Sequence, residues 1–124
     1  MVSIIDSNTV GLLSLALDAA TMRQQAIAHN LANANTPGFQ RIGVSFESRV
    51  GELQQAIRQG QTPSLASLAG YRPAFEAAGA AGDPVAIDME MAAMSENTLH
   101  HQALLKVLNK HFALIGSAIN EGKR

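Results

Sequence analysis

The chain has 124 residues, the size of one domain, and a formal net charge of −1. That balance leaves no basic face for a nucleic acid, and the absence of cysteine excludes disulfides and thiolate metal sites. Hydrophobic residues make up 47% but aromatics only 4%, with no tryptophan, so the alanine-rich composition suits long helices packed along their lengths better than a thick core.

Met1 to Asn8 carry Asp6 and no positive charge, and Asp18 and Arg23 interrupt the apolar pattern that follows. No cleavable secretory signal is expected. No apolar run approaches the ~18–20 residues that span a bilayer. The residues therefore read as cytosolic, or as exported by a route that cleaves no signal.

A first helix is predicted from near Asp6, Ser7, Asn8 or Thr9, all able to cap free backbone N–H groups, to about Ala32. Leu13, Leu17, Ala20, Gln24, Ile27, Leu31 and Ala34 recur at steps of four and three, a heptad seam with a polar interruption at Gln24. Pro37 disfavours helix at Thr36 and stops the run. Pro37-Gly38 fits the centre of a type II turn, with glycine taking positive φ. Asn33 and Asn35 can bond stray backbone groups at the helix end, and Phe39 supplies an apolar anchor beyond it.

The middle holds all four prolines and most of the glycines, which argues against long regular elements there. Ser45 to Gln59 could form a short helix through Phe46, Val50, Leu53 and Ile57. Gln61 to Asp83 is rich in Gly, Ala, Ser and Pro without a sustained period, and reads as mobile loop. Gly79-Ala80-Ala81-Gly82 precedes no strand–helix phosphate cradle and reads as linker.

A second helix is predicted from Asp88, as N-cap with Glu90 in the first turn, to about Asn120, with Gly122 just past the end. Its seam is Ile87, Met91, Met94, Thr98, His101, Leu105, Leu108, Phe112, Ile115 and Ile119. A sustained 3.5-residue repeat implies a left-handed supercoil with a partner helix. The fold class expected is all-α: two long terminal helices in an antiparallel coiled-coil-like hairpin, with a loop-rich, partly disordered middle. The division is 1–44, 45–84 and 85–124.

Ile27-Ala28-His29-Asn30-Leu31-Ala32-Asn33-Ala34-Asn35-Thr36-Pro37-Gly38-Phe39 resembles the signature shared by flagellar rod and hook proteins. In that family an N-terminal helix ends in Ala-Asn-x-x-Thr-Pro-Gly-Tyr or a close variant. Phe39 stands where tyrosine is commoner, keeping the ring and losing the hydroxyl. The matching positions are Asn30, Ala32, Asn33, Thr36, Pro37, Gly38 and Phe39. Residues 85–97 resemble the acidic lead-in, Met-Ala-x-Met and Glu-Asn pattern of the family's short proximal-rod members, and 102–112 resemble their end.

The resemblance implies a structural role, without enzymatic activity, cofactor or small-molecule substrate. It implies export through the flagellar type III apparatus with no cleaved signal, and residence in the basal-body rod across the periplasmic space. The implied task is joining the membrane ring to the distal rod and hook and transmitting torque. Implied partners are further copies of the chain, other rod proteins, membrane-ring or rod-adaptor proteins and the export apparatus. The implied assembly seam is Leu13, Leu17, Ile27, Leu31, Met91, Met94, Leu105, Leu108, Phe112 and Ile115, whose surplus apolar surface would face neighbouring subunits in an open helical assembly.

Other chemistry is poorly supported. Glu96 and His100 sit at i, i+4, and His29 would approach them in a hairpin, but no HExxH pattern or third helical ligand accompanies them. Ser, His and Asp are present without a nucleophile-elbow spacing. Met89, Met91 and Met94 could mark a chaperone groove, although methionines at helical spacing are more often core. Gln24, Thr98 and His101 are polar seam positions that could fix register. The competing functional class is a helical-hairpin adaptor or export-chaperone-like binding module, which predicts a discrete stable dimer.

Overall fold

The computed structural model describes residues 2–46, 52, 55, 56, 58–60 and 69–122. Helix α1 spans Val2–Ala32 and helix α2 spans Ile87–Gly122. Strands β1 (Ile42–Ser45) and β2 (Ala74–Ala77) lie between them, with one 3-10 turn at Ala69–Tyr71. At ~1.5 Å per residue the two helices reach roughly 46 and 54 Å.

The helices run further than predicted. α1 begins at Val2 rather than at the capping cluster Asp6–Thr9. Ser, Asn and Thr inside a helix each cost only about 0.5 kcal/mol, so good caps do not oblige a helix to start at them. Asp88 is not the cap of α2. The Ala86 carbonyl accepts the first bond, from the Glu90 N–H at 2.9 Å, while Asp88 lies inside the first turn with its Oδ1 3.0 Å from the Met89 N–H. There its carboxylate complements the helix dipole.

The two helices pack antiparallel: Asn30 meets Glu90, and Ala20 and Gln24 meet Asn97. Close approach suits α1 at Ala20, which is fully buried and whose carbonyl accepts from Asn97. On α2 the covered track is Glu90, Met94, Asn97, His101, Leu104, Leu108, His111 and Ile115, buried or half-buried at alternating steps of four and three. Met94, His101, Leu108 and Ile115 belong to the predicted seam. Ile87, Met91, Thr98, Leu105, Phe112 and Ile119 do not lie on this track and are exposed. The apolar arc of α2 is wider than one track. The edge that turns inward carries two buried polar residues, Glu90 and Asn97, which find partners elsewhere in the fold.

The middle is not all loop. β1 and β2 pair antiparallel, with Ile42 opposite Ala77 and Ser45 opposite Ala74. Ile42, Val44 and Phe46 alternate, and Val44 and Phe46 are buried against Ala19 and Ala26 of α1, with Leu15, Ala16, Met22 and Ile42 around them. Burying Val44 and Phe46 contributes roughly 1.5–3 kcal/mol each. β2 is exposed along its length. The Ser45–Gln59 helix is corrected at its start, since Ser45 is strand and Phe46 is irregular. Glu52, Gln55, Ala56 and Arg58 are helical, and the Gln59 N–H bonds the Gln55 carbonyl at 3.1 Å. Val50, Leu53 and Ile57 lie outside the described residues, as does the 61–68 part of the expected loop. The stretch from 70 to 77, also expected as loop, carries the 3-10 turn and β2.

Candidate assembly surface and signature turn

The helix-stop segment folds as its residues dictate. The Phe39 N–H bonds the Thr36 carbonyl at 3.3 Å across Pro37 and Gly38, and Gly38 has φ +72°, the type II geometry. Asn33 bridges the end of α1: its Nδ2 donates to the His29 carbonyl at 2.9 Å, while its Oδ1 accepts from Thr36 Oγ1 at 3.2 Å. The Phe39 ring sits 5.3 Å from the His29 ring, a tilted aromatic contact. Asn33, Thr36, Pro37, Gly38 and Phe39 are thus brought together, while Ala32 is exposed beside them.

Asn30 has a different task. It is buried, and its side-chain amide pairs with the backbone of Ile42: Nδ2 donates to the carbonyl at 2.8 Å and Oδ1 accepts from the N–H at 2.9 Å. Its Nδ2 also reaches Glu90 Oε2 at 3.4 Å. Glu90 is only 3% exposed, and Arg41, next to Ile42, forms an ion pair with its Oε1. One carboxylate therefore ties α2 to both α1 and the entrance of β1. Seven residues on, buried Asn97 donates from Nδ2 to the Ala20 carbonyl at 2.8 Å and to Gln24 Oε1 at 2.9 Å. Glu90, Arg41 and Asn97 were not singled out as site residues in the sequence. For Glu90 and Asn97 the usable signal is a seven-residue spacing that continues through Leu104 and His111; Arg41 carries no such signal.

Of the predicted assembly seam, Ile27 is buried, and Leu13, Leu17, Leu31, Met94, Leu108 and Ile115 are half-buried. Met91, Leu105 and Phe112 are 56%, 40% and 49% exposed. With Thr98 and Ile119 these form an outward stripe at steady intervals of seven. Val107 and Leu114 are exposed as well, so α2 presents apolar side chains beyond the covered track. Met89, 71% exposed, and Met91 are not core in the single chain; Met94 alone of the three is half-buried.

The residue that joins Glu96 and His100 is Arg23, not His29. The three line a cleft with Ile27, Ala93 and Asn97, and partial burial lowers the Arg23 pKa from its ordinary value. A guanidinium in that position is hostile to a cation. Among the described residues no three His, Asp or Glu side chains gather at metal-binding distance, and no helix is long and apolar enough to cross a membrane.

These features define a structural class of protein: a helical hairpin closed by polar clasps, its first helix ending in a proline–glycine turn, with apolar side chains left on its outside. Residues 14–40, the second half of α1 through the turn, match the family profile described as flagella basal body rod protein. The chain is similar to the flagellar basal body rod protein FlgB of Bacillus subtilis (strain 168), at 27% identity over 94% of this chain and 97% of that one. It is 29% identical to FlgB of Escherichia coli (strain K12), over 76% of this chain and 80% of the relative. It is 41% identical to FlgB of Borrelia hermsii over a shorter stretch, 44% of this chain and 38% of that one. The chain belongs to the FlgB family of flagellar basal body rod proteins. It is a structural subunit of the rod and not an enzyme.

Proposed function

We propose that the chain joins the membrane ring to the distal rod and hook and transmits torque between them. The observation that carries this reading is the outward stripe of Met91, Leu105, Phe112 and Ile119 on a helix of roughly 54 Å. A single hairpin leaves that surface in water, and side-by-side packing of further rod subunits buries it. Its partners are other copies of the chain, other rod proteins and the ring or adaptor proteins at the rod base. The chain reaches the periplasm through the flagellar type III apparatus without a cleaved signal. The Leu13, Leu17, Ile27, Leu31 side and the covered positions of α2 hold the subunit together, and the Thr36–Phe39 turn sets how β1 leaves the helix. The unit boundaries 1–44, 45–84 and 85–124 separate two rod helices from a variable insert.

Deleting the gene in its host and complementing it tests the reading. The expected result is loss of rod, hook and swimming by electron microscopy and motility assay, restored by the complementing copy. Intact basal bodies and normal swimming in the deletion strain would reject it, and a discrete soluble dimer outside the basal body would favour an adaptor.

A further inference from the structure

The covered track of α2 carries a buried carboxylate and a buried amide where a hairpin built for stability alone would carry leucine. Glu90 and Asn97 occupy the same heptad position as Leu104. Asn97 is 7% exposed; its Nδ2 serves two acceptors, the Ala20 carbonyl and Gln24 Oε1, while its Oδ1 is buried and accepts no hydrogen bond among the described residues. An unsatisfied buried acceptor opposes folding, and a buried charge does so unless it is paired. What such residues supply is a preference for one alignment over others.

We infer that Glu90 and Asn97 together fix the register in which α2 pairs with α1 of its own chain. The alternatives are concrete. Sliding α2 by one heptad puts Leu104 opposite Gln24 and Ala20, and Asn97 opposite Asn30. Arg41 then loses its carboxylate and Gln24 loses its amide partner. Apolar contacts oppose that slip only weakly. Across the positions of residues 94–104, His101 takes the place of Met94 and His111 that of Leu104, while Leu104 takes the place of Asn97 and Leu108 that of His101, so two apolar losses offset two gains. On α1 the residues facing Asn97 are the small Ala20 and the polar Gln24, which are likewise permissive. The two polar residues therefore carry the discrimination. In the native register the outward stripe of Met91, Leu105 and Phe112 stays outside, and in a slipped one the side chains offered to the surroundings change position by ~10 Å. The inference concerns the hairpin itself and stands or falls independently of the rod reading.

The absence of native cysteine allows a direct test. Thr21 and Thr98 line one cleft between the helices. Thr21→Cys/Thr98→Cys reports the native register, and Thr21→Cys/Leu105→Cys reports the slip of one heptad. Each pair is treated with a short bis-maleimide at low protein concentration, and the intrachain product is measured by mass spectrometry. In the otherwise native chain the first pair links and the second stays at background. In the Glu90→Leu/Asn97→Leu background, helicity by circular dichroism is retained and the second pair rises to a yield comparable with the first. An unchanged pattern, with only the first pair linking, would overturn the inference. So would loss of helicity in the double variant, because it would make the two residues sources of stability rather than of register.

Discussion

Asn30 and Ile42 close a reciprocal pair of hydrogen bonds, 2.8 Å from Nδ2 to the carbonyl and 2.9 Å from the N–H to Oδ1. The side-chain amide of a helix residue thereby takes the place of a neighbouring strand. Ile42 is the first residue of β1, and the adjoining ladder bond runs from the Ala78 N–H to the Arg41 carbonyl at 2.8 Å, so β1 is held on one edge by β2 and on the other by Asn30. The signature asparagine connects the end of α1 to the strand that the turn delivers.

Asn30→Ala removes both bonds and leaves two backbone groups of Ile42 unpaired against α1. The expected loss is about 1–3 kcal/mol, read from the urea midpoint of the helical circular dichroism signal. Asn30→Asp keeps the acceptor, loses the donor and sets a second carboxylate beside Glu90, so it is expected to cost more than alanine.

Arg41→Ala is expected to be worse than Glu90→Gln, although both break the same ion pair. Arg41 is 42% exposed at its side chain and Glu90 only 4%. Removing the arginine strands a buried charge, at about 1–2 kcal/mol after allowance for solvent near Arg41. Replacing the glutamate by an amide removes the charge, at about 0.5–1 kcal/mol. The ordering of the two denaturation midpoints is the measurement.

Gly38→Val tests the turn. No atom lies within 4 Å of a Cβ added there, so the cost is backbone conformation alone, about 1–2 kcal/mol at φ +72°. Gly38→Asn tolerates that region better and is expected to swim more nearly as the parent does in a soft-agar assay. Equal motility of the two variants and the parent would show that positive φ is not required.

Leu105→Glu and Leu108→Glu separate folding from assembly. Leu108 is half-buried on the covered track and its charged variant is expected to lose roughly 2–3 kcal/mol of stability. Leu105 points outward, so its charged variant is expected to fold within about 0.5 kcal/mol of the parent and to be secreted normally, yet to fail in rod assembly. Thermal melts and counts of complete basal bodies distinguish the two.

The two helices, their antiparallel arrangement and the Thr36–Phe39 turn were legible because apolar spacing and proline–glycine chemistry act locally. The β pair was harder. Ile42, Val44 and Phe46 do alternate, but the partner strand is about thirty residues away and exposed on every position, so it carries no apolar signature. The inner edge of α2 is hard to read from the sequence for a related reason. Met91, Leu105 and Phe112 look more like seam than Glu90 and Asn97, and only the positions of Arg41, Asn30, Gln24 and the Ala20 carbonyl make the polar residues the buried ones. Periodicity reveals an apolar arc; which part of it faces inward depends on partners distant in the chain.

Cross-linking in purified basal bodies tests whether the outward stripe of α2 packs against neighbouring rod subunits. A chain carrying Phe112→Cys is expressed in the deletion strain, intact basal bodies are isolated, and a short thiol-to-amine linker is applied before mass spectrometry. The chain is expected to be a stoichiometric component of the rod fraction, with the linker joining position 112 to a neighbouring rod subunit. Absence of the chain from basal bodies, or a freely solvent-accessible position 112 in the assembled rod, would contradict it.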